Sequence, residues 1–572
     1  MPSSLSRFKS ASFATTSLLS VTLLLSGCSN DEPAQTSSDQ TTPAVSEDRW
    51  LSHIPASTPY FFVSRERLSE ADAMALIEKL GSMDDMDIQI AELEELRDTS
   101  DDPAIAQFLY ITINVLRAFG EVETLEDYHE RGMMPNARSA IYGLGLLPAI
   151  RVELHDEERF KAFFEGLLAE LDADIQSSQL GDTHYWHTSA DNVLQSFITI
   201  KDQQVIIGLL PSTVEQAVIE QLFGITPPSL SLLQSGAIEQ LEQRYRYSPY
   251  GSGRLSTQQI VNEIINPTHP ATQALMAIGN ADAFNVEQCR NDIDRLTDLF
   301  PAIVMGVHSL DTQRISGSVR LATSSNVADD LGSFTTSVPG LGTGQGIASL
   351  GIALDIPAVT RALQKYAGQV RTIPFTCPEL QGINDMWGEL GLLTNNPMTM
   401  LVGPALTGVN VRIDSFDMDP IEPSGTGVVA FASPNAQGLI SAISMFVPQI
   451  ASLNLQSNGD VKQVEPSLLP PDLPSVHAAM SNSAILLGVG LDNPAQLTSE
   501  LQQSAGRADL MMYGHLSSDT FATLAEVSSQ LPNTDGMDTA ELLYMAEIYE
   551  KVAFWLGVDG SGFELGVEVE LK

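Results

Sequence analysis

The residues best suited to bind something stand at Arg244-Tyr245-Arg246-Tyr247-Ser248-Pro249-Tyr250, where two of only 29 basic side chains interleave with three tyrosines. Guanidinium groups alternating with phenol rings suit an interface hot spot, or stacking on a carbohydrate or aromatic ligand. The plainer reading of the same segment is an amphipathic strand whose tyrosines join the core and whose arginines pair with acids. His184-Tyr185-Trp186-His187 holds a close histidine pair, which would bind a metal if Asp182 or Asp191 joined it. On a strand, however, residues three apart point to opposite faces, and no H-E-x-x-H spacing occurs. Asp172-Ala173-Asp174 opens like a calcium loop, but Ser177 stands where glycine is required and Thr183 where glutamate is required.

Other chemistries lack their residues. The glycines at 340, 342, 344 and 346 are followed by no Lys-Ser/Thr pair and miss the G-x-G-x-x-G spacing. Gly143-Leu144-Gly145 fails the same test and reads as strand packed closely against a neighbour. No G-x-S-x-G nucleophile elbow is present. The expectation is therefore a chain that is not an enzyme and holds no cofactor and no metal, although a catalytic set assembled by folding from distant residues stays open.

Arg7 and Lys9 precede the short apolar run Ser17–Leu25, and the small residues Ser26 and Gly27 lead to Cys28. Leu25-Ser26-Gly27-Cys28 resembles the lipobox of bacterial lipoproteins. The resemblance implies that residues 1–27 are a cleaved signal, that Cys28 is acylated and that membrane lipid is a partner through those chains. Ser29, in place of the aspartate that retains such proteins in the inner membrane, implies a lipid anchor in the outer membrane, facing the periplasm. Residues 28–49 are mostly Ser, Thr, Asp, Gln, Pro and Ala and read as a flexible stalk. The body, with Pro55-Ala56-Ser57-Thr58-Pro59 just after the stalk, resembles large lipoproteins of diderm bacteria, a likeness that brings no assigned activity.

With Cys28 acylated, Cys289 and Cys377 are the remaining thiols, and an oxidising compartment favours a disulfide between them over two buried free thiols. The formal charge of -43 excludes nucleic acid as a partner and disfavours anionic lipid surfaces. Acidic runs such as Asp84-Asp85-Met86-Asp87 read as solvated faces.

Comparing the chain with itself aligns Phe197–Gly208 on His477–Gly488 without a gap, each reading as two short strands around a polar turn. At a similar offset, the strand Ile150–Leu154 and the helix from Asp156 correspond to Val428–Phe431 and the helix around Leu439. Gly253-Arg254-Leu255-Ser256 matches Gly514-His515-Leu516-Ser517, and Gly306-Val307 matches Gly557-Val558 before a terminal hairpin. The fold expected is α+β in two tandem related domains, each a mixed or antiparallel sheet with helices packed mainly on one face. The copies are placed at 50–323, with a helical insert at 103–130, and at 346–572. Residues 324–345 read as a Gly/Ser/Thr-rich linker, and a Cys289–Cys377 bridge would staple the copies.

Anchor, stalk, paired domains and missing motifs point first to a non-enzymatic interaction or scaffold protein of the cell envelope, with an envelope protein or glycan as partner. A carrier or chaperone for a lipid or other apolar ligand is the alternative, and a hydrolase with a site built from distant residues is a third.

Overall fold

The computed structural model describes residues 47–572 apart from 81, 101–102, 121, 171–174, 189–192, 279–285, 394–402, 418–423, 470–473 and 531–538. The leader, Cys28 and most of the stalk thus lie outside the described residues, as do Asp172, Asp174 and Asp191. The chain divides into two compact units, Met1–Glu287 with Ala302–Gly317, and Gln288–Pro301 with Ser318–Lys572.

The first unit contains β1 (Tyr60–Ser64), β2 (Ser139–Leu144), β3 (Leu147–Glu153), β4 (Ile175–Leu180), β5 (Thr183–Thr188), β6 (Leu194–Lys201), β7 (Gln204–Pro211), β8 (Ser252–Ser256) and β9 (Ala302–Leu310). They pair antiparallel in the order β4-β5-β6-β7-β3-β2-β1-β8-β9. Local chemistry fixes the hairpins. Asp202 and Gln203 both take positive φ, as a two-residue turn between twisted strands requires. Gly145, at φ +60, turns β2 into β3. The strand β10 (Arg314–Ala322) is divided by the unit boundary, which falls between Gly317 and Ser318.

The second unit contains β11 (Ala348–Ala353), β12 (Gly408–Asp417), β13 (Ser424–Ala432), β14 (Lys462–Gln463), β15 (Val476–Met480), β16 (Ala484–Val489), β17 (Leu510–Ser517), β18 (Tyr549–Asp559) and β19 (Gly562–Leu571). Their antiparallel order is β14-β15-β16-β13-β12-β11-β17-β18-β19. From β15 to β18 this repeats, strand for strand, the run β6-β7-β3-β2-β1-β8-β9 of the first unit. The register agrees as well, because Phe197 stands opposite Gly208 and His477 opposite Gly488. Each of those glycines makes room for a leucine: a Cβ would lie 2.5 Å from Leu222 Cδ2 at position 208 and 2.3 Å from Leu491 Cδ1 at position 488.

The structure corrects several expectations. Helices cover both faces of the first sheet: Val218, Leu222, Ile238 and Ala271 pack on the side of Ala149 and Ile206, while Phe160 and Phe164 pack on the side of Val205 and Ile198. A sheet that is apolar on both sides needs two coverings. The helical insertion begins before residue 103, since the helix Ser82–Thr99 packs against Pro103–Gly120. The run 324–345 is not a bare linker. It opens with the helix Ser325–Gly332, and Val338 and Leu341 are wholly buried in the core of the second unit. Register places Met305 opposite Gly253 and Phe554 opposite Gly514, so Gly306 corresponds to Trp555, two residues before the expected Gly557. Among the described residues no helix is long and apolar enough to cross a membrane.

Candidate functional site

The segment singled out by composition is not a strand, and its central tyrosine is buried. Arg244 and Tyr245 end the helix Ala237–Tyr245, and Arg246 closes it in the left-handed region at φ +58. Tyr247, only 5% exposed, lies on Gly306, where a Cβ would come within 2.3 Å of its ring. Its ring also meets that of His308 at 5.1 Å. Backbone bonds hold the turn: Ser248 N–H donates to Val307 O at 2.7 Å, and Arg65 N–H donates to Pro249 O at 2.9 Å. Arg244 and Arg246 stand exposed and Tyr245 and Tyr250 half-buried, with the Arg244 guanidinium 5.3 Å over the Tyr245 ring. The tyrosine at the centre of the motif therefore serves packing.

The two histidines of β5 face opposite ways, as strand alternation demands. His184 Nε2 meets Ser177 Oγ at 2.7 Å, and His187 Nε2 meets Ser178 Oγ at 3.0 Å, Ser177 and Ser178 being neighbours on β4. They do not converge on a metal. Cys289 and Cys377 form a disulfide, and both belong to the second unit, because Gln288–Pro301 packs there. The bridge therefore works inside one unit and does not staple two. Asp292, one turn along the helix Val286–Leu299, accepts the N–H groups of Thr376 (2.6 Å) and Cys377 (2.8 Å). Burial alone would raise its carboxyl; these donors hold it below the usual carboxylate range.

Folding does create a Ser–His pair. Ser349 on β11 lies opposite His515 on β17, with Oγ 2.7 Å from Nδ1. His515 Nε2 is 3.1 Å from the carbonyl of Gly346, which can only accept, so Nε2 carries the proton and Nδ1 accepts from Ser349. Burial lowers the pKa of His515, with Lys551 adding to the effect against the Gly346 carbonyl and Glu570, which favours the neutral imidazole. This is the tautomer of a general base. Yet His515 is 1% exposed and is oriented by a carbonyl instead of a carboxylate, which gives the pair a structural place in the sheet.

The other face of the same strands carries the feature that stands out. Two rungs cross five strands: Val411-Leu350-Gly514-Phe554-Val567 and Val409-Ile352-Met512-Leu556-Leu565. At about 4.8 Å per strand the face is about 19 Å wide, and none of its ten residues is polar. Leu350 is 54% exposed, Val411 40% and Leu565 55%, and Ile352 and Val567 are exposed too, whereas Val409, Met512, Phe554 and Leu556 are half-buried and Gly514 is buried. Five of the nineteen large apolar side chains exposed among the described residues lie on this face. The matching rung of the first unit, Ile141-Phe62-Gly253-Met305, is half-buried throughout apart from the buried glycine.

No family model, curated protein or solved structure matches the chain. Sequence alternation places Leu350 and Ile352 on one side of a strand, but the same pattern describes a covered face and an open one. A cleft between Asn410, Arg412 and Glu500, on the opposite face, has room for about one water.

Proposed function

We propose that this chain is a periplasm-facing lipoprotein, tethered through acylated Cys28 to the outer membrane, that acts without catalysis as an interaction or scaffold protein in cell-envelope assembly or maintenance. The observation that carries this reading is the apolar face of β12, β11, β17, β18 and β19, exposed at Val411, Leu350, Ile352, Leu565 and Val567. An apolar patch of this kind on a secreted body marks a contact site. Its occupant is a different envelope protein whose apolar patch is framed by lysine or arginine. A second copy would bring an equal and large negative charge, and an anionic lipid surface would be repelled in the same way. An open face also leaves half of an acyl chain in water, whereas ligand sites enclose most of their occupant, so the carrier reading takes second place. The two units are read as diverged copies of one domain, of which the second keeps its sheet face uncovered for contact.

The double variant Leu350→Asp/Val411→Asp tests this. A tagged wild-type chain recovers from envelopes one protein that the folded variant does not, and that protein dissociates as salt is raised. Recovery of the same proteins by both chains would contradict the reading.

A further inference from the structure

We propose that Glu70, His129 and His155 form a binding site for a divalent transition metal, Zn(II) foremost, in the first unit. One carboxylate oxygen and two imidazole nitrogens, one from each residue, lie within 4.8 Å of one another. One pair, His129 Nε2 and Glu70 Oε1, is 3.0 Å apart. Tetrahedral zinc with donors at roughly 2.0–2.2 Å separates its ligand atoms by about 3.3 Å. One pair is thus already near that spacing, and a metal would replace its hydrogen bond. The third donor, on exposed His155, closes the remaining distance by side-chain rotation. Its ring now stacks on that of His129, centroids 4.0 Å apart and planes 9° from parallel.

Sequence spacing hides this set, because 59 and 26 positions separate the three residues, but the fold prepares it. Glu70 opens the helix Glu70–Leu80. His129 rides on the short helix Leu125–Glu130, fixed by a capping box between Thr124 and Asp127. Gly132 joins the two histidine segments: its N–H donates to His129 O at 3.1 Å, and its carbonyl accepts the N–H of His155 at 3.0 Å. It sits at φ +73, and a Cβ there would lie 2.3 Å from both Asp156 O and Phe160 N. Only glycine allows that approach. Glu126, Asp127, Glu130, Asp156, Glu157 and Glu158 flank the histidines, against Arg131 and Arg159, so the local field favours a cation.

Two imidazoles and one carboxylate suit zinc, and three protein donors leave a fourth position for water or an exogenous donor. The site is therefore an open one. Titration of the full chain with Co(II), its disulfide intact so that Cys289 and Cys377 offer no thiolate, is expected to give a visible d–d band. The band saturates at one equivalent and is displaced by one equivalent of Zn(II). Loss of a ligand weakens zinc by at least about tenfold, the smallest effect usual even for the partners of ligands. His155→Ala, at an exposed position, reads this without risk to folding, and Glu70→Gln and His129→Ala are compared once circular dichroism shows them folded. A chain giving no saturable band, or a folded His155→Ala variant binding Zn(II) as tightly as wild type, overturns the proposal.

Discussion

Ser349 and Leu350 are neighbours on one strand and face opposite worlds: the Ser349 hydroxyl donates to a buried imidazole at 2.7 Å, while the Leu350 side chain is 54% exposed. One side of the second sheet is thus a finished interior and the other an unfinished one. The consequences for stability differ by side.

Leu350→Asp and Val411→Asp are expected to change unfolding free energy by no more than about 0.5 kcal/mol, as surface substitutions do. His515→Ala, on the buried side, removes a packed ring and leaves the Gly346 carbonyl and the Ser349 hydroxyl without their partner, at a cost of about 2–4 kcal/mol. Urea denaturation of the three variants checks the contrast.

Gly208→Ala and Gly488→Ala are expected to destabilise their own units by similar amounts, about 1–3 kcal/mol each, because the new methyl overpacks against Leu222 in one and Leu491 in the other. Equal losses, read by hydrogen exchange in β7 and β16, support the correspondence of the two hairpins. A loss at one site only would break it.

Cys289→Ser opens a loop whose ends are 88 residues apart in sequence, for which the chain-entropy argument gives about 4–5 kcal/mol and typical measurements about 2–4. The loss belongs to the second unit. A nonreducing gel is expected to show the variant migrating like the reduced wild-type chain.

Burial lowers the pKa of His53, His269 and His515, with Arg151 adding to the effect at His53. As pH falls below the unfolded value of about 6.5, the unfolded chain takes up protons that the folded one refuses, so stability declines toward the lowered folded values. Above pH 6.5 these groups contribute no slope. The urea midpoint is therefore expected to hold from pH 8 to 7 and to drop between pH 6.5 and 5. His53→Gln should shrink the drop, and a midpoint that rises on acidification would contradict the assignment.

Much of this was legible where structure is local. The match of Phe197–Gly208 with His477–Gly488 survives to the residue pair, because a tight hairpin fixes its own register from turn chemistry. What depends on distant packing was not legible. Val338 and Leu341 stand in a glycine-rich run whose composition says linker, yet both are core, because the turns between them fold the chain back onto β11 and β12. That Tyr247 packs on the bare backbone of Gly306 was not legible, because that glycine lies 59 residues away. Glu70, His129 and His155 share no local pattern at all. The open face of the second sheet escaped for another reason: alternation tells which side chains share a face, and says nothing of whether anything covers it.

The proposed role of this face is to seat another envelope protein. A photoreactive amino acid at position 350, activated in living cells, tests it most directly, with exposed Ile225 of the first unit as the control position. The account predicts one heterologous protein adduct from position 350, mapped to a segment bearing lysine or arginine, and none of it from position 225. Adducts confined to lipid or to a second copy of this chain, or the same protein captured from both positions, would contradict it.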